Sequence, residues 1–332
     1  MRAAIIVAGL LLAAPGLVRA ATDCSIDDIE IDLGNVSMSQ PTTASATVTI
    51  RCTTGALALL GRVYVNACLL LGPGSGGSSV VPRYMRNDES NETLEYNIYK
   101  DPGFTNVWGE TGASRLNISF SYAAPLLGGF GSATTTAHAR VPVQPGVAAG
   151  EYSSSLDLDT ELIYRYSEPL LLIGSSMPDS CDNPSDGSGG ETGIPFSANV
   201  QAAVPNHCEF NAVTDLDFGN VPGLINTPQD QTSSISLSCT GRTLWNVGLD
   251  NGQNANGSTR RMRLGTSDSY VDYELYRDPA RTQRWGTTIN TDTLPGTGTG
   301  NPQTVTVYGR VPAGQAVPAG SYRDTVTVTV TY

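Results

Sequence analysis

Charge is scarce in this sequence. Lysine and arginine number 19, aspartate and glutamate 31, and the formal net charge is −12 over 332 residues. A chain so poor in cations has no basic patch to hold a phosphate backbone, so nucleic acid is excluded as a partner. Histidines number 2, and no two of the cysteines form a CxxC pair, so a zinc site is not expected. GxSxG and HExxH motifs are absent, and two histidines far apart in the chain make no catalytic triad. No enzyme activity, metal or cofactor is expected. Helical periodicity is lacking too: no stretch repeats apolar residues convincingly on one helical face. Beyond the N-terminus, no apolar run approaches the roughly 20 residues needed to span a bilayer.

What is present begins with an export signal. Arg2 supplies a positive start, "AAIIVAGLLLAAPGLV" an apolar stretch broken by Pro15, and Val18-Arg19-Ala20 a small-residue cleavage pattern. Residues 1–20 read as a signal peptide and Ala21 as the mature start. Six cysteines follow: Cys24, Cys52, Cys68, Cys181, Cys208 and Cys239. An even count in an exported chain favours disulfides. Gly, Thr, Ser and Val abound, which suits an all-β extracellular protein, and the length suits two domains.

The chain repeats itself. "LEYNIYKDPGFTNVWG" (Leu94–Gly109) returns as "VDYELYRDPARTQRWG" (Val271–Gly286), and "LGNV" (Leu33–Val36) as "FGNV" (Phe218–Val221). "ARVPVQPGVAAGEY" (Ala139–Tyr152) returns as "GRVPAGQAVPAGSY" (Gly309–Tyr322). Two copies at this spacing mean a duplicated domain rather than a solenoid. The boundaries are set at 21–204 and 205–332. "DTVTVTVTY" (Asp324–Tyr332) alternates strictly, with Val326, Val328, Val330 and Tyr332 on one face; Leu156, Leu158, Leu162 and Tyr164 have the corresponding spacing in the first copy. Asp101-Pro102 and Asp278-Pro279 mark turns. Two immunoglobulin-like β-sandwiches are the economical architecture. Six cysteines allow 15 pairings; the repeat favours Cys24–Cys52 and Cys208–Cys239, which leaves Cys68 with Cys181.

The copies differ where they are greasy. Between shared motifs the first copy is longer and holds Ala56, Leu57, Ala58, Leu59 and Leu60 in one interval and Leu126, Leu127 and Phe130 in the next. The second copy has polar stretches there, "NGQNANGSTRR" and "LPGTGTGNP". Loops run over the surface, so both apolar tips are expected to be exposed, whereas Leu69–Leu71 beside Cys68 are expected in the core. A third run, Leu170, Leu171, Leu172 and Ile173, stands between the two readings. It leads through Cys181 and a Ser/Gly/Asp-rich stretch, read as linker or loop, to "IPFSANVQAAV" (Ile194–Val204), which can form one more strand. The second copy has no such strand after Tyr332. A sandwich without its last strand leaves a hydrophobic groove and an open edge, which a strand from another chain can fill.

These features, the cysteine–"GNV"–cysteine start, "Y-x-[IL]-Y-[KR]-D-P", "RVP…AG-x-Y" and the terminal "VTVTVTY", resemble the spore coat protein U domain, the pilin of archaic chaperone–usher pili. The resemblance spans both copies. It implies that the C-terminal copy is an incomplete pilin fold, capped first by a periplasmic chaperone and then, at the outer-membrane usher, by a strand of the next pilin subunit. Val326, Val328, Val330 and Tyr332 are the edge expected to receive both. The mature start reaches Cys24 almost at once, too short for a donor extension, which places the chain at a fibre end. A two-domain member of this kind is similar to a tip adhesin, exported through the periplasm to the cell surface. Such adhesins attach to abiotic or host surfaces and promote biofilm formation through hydrophobic loops of the N-terminal domain. A glycan-binding tip lectin and a ligand-free initiator or end cap are the alternatives. Trp108 and Trp285 occupy equivalent repeat positions and are expected to pack inward rather than bind sugar, and "RNDESNETLE", with Asp88, Glu89 and Glu92, lacks the spacing of a calcium loop.

Overall fold

The structure is a computed structural model and describes residues 22–37, 39–55, 61–87, 89–125, 127–169 and 175–332. The described chain is almost entirely strand, with one 3-10 turn at Gly112–Ser114. Twelve strands build the N-terminal half: β1 (Thr22–Ile26), β2 (Ile29–Asn35), β3 (Thr42–Thr54), β4 (Gly61–Leu70), β5 (Arg83–Arg86), β6 (Thr93–Tyr99), β7 (Leu116–Ala124), β8 (Gly129–Val141), β9 (Gly150–Ser155), β10 (Glu161–Ser167), β11 (Gly189–Pro195) and β12 (Ala198–Val204). They form two sheets, β1-β3-β8-β6-β5-β9-β12-β2 and β11-β10-β4-β7. The alternating apolar residues that suggested strands point between these sheets, and Ile29, Ile31, Val48, Ile50, Val63, Val65 and Leu69 are all buried in one core.

The last two strands close this sandwich. β11 and β12 run on as one line, antiparallel to β10 and then β9, from Gly189 opposite Tyr166 to Val204 opposite Gly150. β12 also lies parallel to β2, with Ala198 opposite Ile29. Its inward residues Ala198, Val200, Ala202 and Val204 are buried. The expected extra strand is therefore present, but it starts earlier than the sequence suggested: Gly189–Glu191, read as linker, already pair with β10. Leu158 also departs from expectation. It is 70% exposed, because the chain turns between β9 and β10 instead of continuing as one alternating strand.

Eleven strands build the second half: β13 (Cys208–Val213), β14 (Leu224–Ile225), β15 (Gln229–Cys239), β16 (Leu244–Leu249), β17 (Arg260–Leu264), β18 (Tyr270–Tyr276), β19 (Leu294–Thr297), β20 (Pro302–Val311), β21 (Gln315–Ala316), β22 (Tyr322–Arg323) and β23 (Val328–Thr331). They repeat the first architecture in smaller sheets, β13-β15-β20-β18-β17-β22, β19-β16-β23 and the pair β14-β21, around a second core that includes Val247, Leu249, Leu275 and Trp285. The disulfides are Cys24–Cys52, Cys68–Cys181 and Cys208–Cys239.

Equivalent details recur in both halves. Asp101 accepts bonds from Thr105 and Asn106, and Asp278 from Thr282 and Gln283, so both Asp-Pro turns are locked the same way. Trp108 and Trp285 are buried and each donates its indole N–H over 2.8 Å, to Leu69 and Val247 carbonyls respectively. The halves meet at backbone level. Ala149 N–H donates to Gly241 O (2.9 Å), and Gly241 N–H to Val147 O (2.8 Å).

Candidate functional site

Three strand connections of the N-terminal sandwich arise at one end of it. Thr54, the last residue of β3, pairs with Gly129, the first of β8. Gly61, the first of β4, pairs with Ala124, the last of β7. Ser167, the last of β10, pairs with Tyr64 of β4. The intervals holding all three apolar runs therefore leave from adjacent strand ends. Their roots touch closely: a Cβ on Gly61 would lie 2.6 Å from the Pro169 ring, so only glycine admits this approach.

Of the residues expected at the tip, Ala56, Leu57, Ala58, Leu59, Leu60, Leu126, Leu170, Leu171, Leu172 and Ile173 lie outside the described residues. The two that are described stand open to solvent: Leu127 is 92% exposed and Phe130 is 81% exposed. The two lie three residues apart, on either side of the start of β8. Leu69 and Leu71, by contrast, are fully buried, as expected of core.

A buried relay of hydroxyls ties the roots together, which the sequence did not signal. Thr22 Oγ1 donates to Glu168 Oε1 (2.7 Å), Thr22 and Thr54 hydroxyls are 2.8 Å apart, and Tyr122 OH lies 2.7 Å from Thr54 Oγ1. Thr54 is the foot of the first connection, Tyr122 stands two residues from the end of β7, and Glu168 opens the third connection. Tyr164 OH donates to the Thr22 carbonyl (2.9 Å); burial pushes its phenol up to about 12 and pushes Tyr122 up as well. Both rings thus stay neutral donors at any physiological pH. The chain returning from the third connection is fastened across β4: Ser175 Oγ donates to Arg62 O (2.7 Å), Asn66 to Pro178 O (2.9 Å), and Cys181 bonds Cys68.

This end is remote from the other half of the molecule. The contact with Gly241 is made by 147–149, just past the opposite end of β8, and 13 residues of strand span about 40 Å.

The second feature is an edge. In the first half, β12 fills the space between β9 and β2; among the described residues, no strand fills the equivalent space between β22 and residues 214–221. Inward residues on both rims are consequently only partly covered: Leu216, Phe218 and Val221 on one side, Tyr322, Val326, Val328 and Val330 on the other. Their counterparts Leu33, Val36, Tyr152, Leu156 and Leu162 are buried. Tyr332 is exposed, its ring edge-on to His207.

Comparison with known proteins identifies the family and the fold. The Spore Coat Protein U domain matches residues 11–159 and again 194–329. The chain is 45% identical to Protein U of Myxococcus xanthus over 107 residues, 30% of this chain and 59% of that protein's length. Among solved structures it resembles a chain of the CsuC–CsuE chaperone–tip adhesion subunit pre-assembly complex from archaic chaperone–usher Csu pili of Acinetobacter baumannii. That likeness covers 93% of this chain and 100% of the other, at 16% identity and a TM-score of 0.51, and shows a shared fold. The two matches together span most of the chain and make it a member of the Spore Coat Protein U domain family.

Proposed function

We propose that this protein is a pilus tip adhesin, with residues 21–204 as the adhesive domain and 205–332 as the pilin domain that anchors it. One observation carries the reading: Leu127 and Phe130 stand bare at the end of the N-terminal sandwich farthest from the second half, where all three apolar connections are rooted. Ala56–Leu60, Leu126 and Leu170–Ile173 are taken as further parts of this contact surface. At about 25 cal/mol per Å² of apolar surface, a few such side chains pressed on plastic or lipid yield several kcal/mol, and many pili multiply this by avidity. Attachment of that kind underlies biofilm formation.

The edge lined by Val326, Val328, Val330 and Tyr332 is proposed to take a strand from a periplasmic chaperone, and at the outer-membrane usher to exchange it for one from the next subunit. The half-covered residues facing it support this role, since a strand laid there would bury them as β12 buries theirs. The fold shared with a chain of the CsuC–CsuE chaperone–tip adhesion subunit pre-assembly complex supports a chaperone partner. The role is binding and assembly at the cell surface, reached by export.

The test is adhesion of the full chain to bare polystyrene beside a Leu127→Ser/Phe130→Ser variant, with circular dichroism showing both folded. Loss of most binding in the variant supports the contact role. Equal binding removes it from these two residues, and no binding by either sends the search to glycans.

A further inference from the structure

We propose that the open edge of the C-terminal half selects its filling strand by charge: that strand carries a lysine or arginine at the outward position beside Asp215. The inference rests on the strand-accepting role proposed above and specifies the partner's chemistry.

The N-terminal half shows how such a strand is read from outside. Along β12, Asn199 and Gln201 point away from the core between two rims. Asn199 lies opposite Glu30 of β2 and Ser155 of β9, and donates to Glu30 Oε1 (2.9 Å). Gln201 lies opposite Asp32 and Ser153. An acid on one rim therefore already engages a hydrogen-bond donor on the inserted strand.

Two structural markers carry this register to the second half. On the first rim, Asp32 accepts from Gly34 N–H and Asp217 from Gly219 N–H, both at 2.8 Å, and both glycines have positive φ, +62 and +71. Glu30 thus corresponds to Asp215. On the second rim, Tyr152 OH donates to Ala148 O and Tyr322 OH to Pro318 O, each four residues back and each at 2.9 Å. Ser153 thus corresponds to Arg323, and Ser155 to Thr325.

A strand in β12's place would then have Asp217 and Arg323 flanking its Gln201-like position, where the two charges balance. Its Asn199-like position would have Asp215 and the uncharged Thr325. Asp215 is exposed and has no hydrogen bond or ion pair among the described residues. Its carboxylate attracts a cation across the strand pair and repels an acid, and the chain's net charge of −12 reinforces that sign. Exposed cross-strand pairs act weakly, so the preference of lysine over glutamate is several-fold, about three- to tenfold at low salt, and shrinks as salt is added.

The experiment extends the full chain after Tyr332 with a flexible Gly/Ser linker, about as long as the native span from Ser167 to Ala198. The linker carries a copy of Ser197–Val204 with Asn199, Asn199→Lys, Asn199→Ala or Asn199→Glu in the copy. Hydrogen exchange of the amides in Ser321–Thr325, the counterpart of the β9 edge that β12 covers, reports occupancy. The expected order of protection is lysine above alanine above glutamate, with Asp215→Asn levelling the series and Asp215→Lys reversing it. Equal protection by all copies, or an order unmoved by the Asp215 variants, overturns charge selection while leaving strand acceptance intact. Protection by none of them overturns strand acceptance itself, and the inference with it.

Discussion

The phenol of Tyr122 donates to Thr54 Oγ1 across 2.7 Å, and the direction of that bond is fixed by its neighbours. Thr22 spends its single proton on Glu168, so Thr54 must donate to Thr22, and Tyr122 must then donate to Thr54. One directional chain of protons thus joins the feet of all three apolar connections beneath the exposed Leu127 and Phe130.

Thr54→Val keeps the shape and removes the link. It strands the Tyr122 hydroxyl and leaves Thr22 without its donor, in a site where all three residues are buried. A loss of roughly 1–3 kcal/mol is expected, confined to the N-terminal half. Calorimetry should show its transition moving down while the other half melts unchanged, and binding to polystyrene should weaken. A variant that melts with the wild type would show that the relay contributes nothing.

Arg83 offers a second test. It is fully buried and donates to the carbonyls of Leu71, Gly72 and Trp108 and to Asn97 Oδ1, while Arg260 does the same for Leu249, Asp250 and Trp285 and pairs with Glu274. Arg83→Met leaves three buried carbonyls short of a donor and should cost about 3–5 kcal/mol. Arg83→Lys should rescue little, because one ammonium cannot span the acceptors that a planar guanidinium reaches. Urea unfolding of both variants measures this; near-wild-type stability of Arg83→Lys would refute the geometric account.

The repeats explain why so much was legible beforehand. Strict alternation marked the run from Asp324, the repeat marked the cysteine pairs, and the surplus segment after Cys181 marked β12. Leu158 misled because alternation says nothing of where a chain changes sheets, which depends on packing two faces at once. Glycines at 189 and 190 misled because a strand lying against Tyr164 and Tyr166 needs room more than side chains: a Cβ on Gly189 would meet the Tyr166 hydroxyl at 2.6 Å. The hydroxyl relay and the Arg83 hub were illegible since their members lie scattered in sequence and only the fold assembles them. Among the apolar tips, exposure of Leu127 and Phe130 followed from the polar sister loops.

The contact between halves turns on glycine. Gly300 has φ +72, and a Cβ there would come within 2.3 Å of Gly146 Cα. Gly300→Ala should push the 146–149 segment away from Gly241 and break the two backbone bonds that join the halves. Hydrogen exchange at the Ala149 and Gly241 amides should quicken by at least tenfold, with each half still melting cooperatively. Unchanged protection of those amides would mean that the junction tolerates the added methyl and does not rely on this approach.

Alkali should probe the base of the tip through Tyr164. Burial raises its phenol to about 12, above the ordinary value near 10. A group raised on folding contributes stability that is whole below the unfolded value and lost as pH climbs through the folded one. The window here is thus pH 10 to 12, and the unfolded chain gains by ionising there while the native ring cannot. About two units correspond to roughly 2–3 kcal/mol. Tyr96, Tyr122 and Tyr152 are raised by burial as well and add to the same decline, so the informative quantity is a difference. Tyr164→Phe should be less stable at neutral pH, having lost its bond to the Thr22 carbonyl, yet should fall less steeply above pH 10, by the slope of one proton. Parallel curves for wild type and variant across that window would mean that Tyr164 ionises as readily in the folded chain as in the unfolded one.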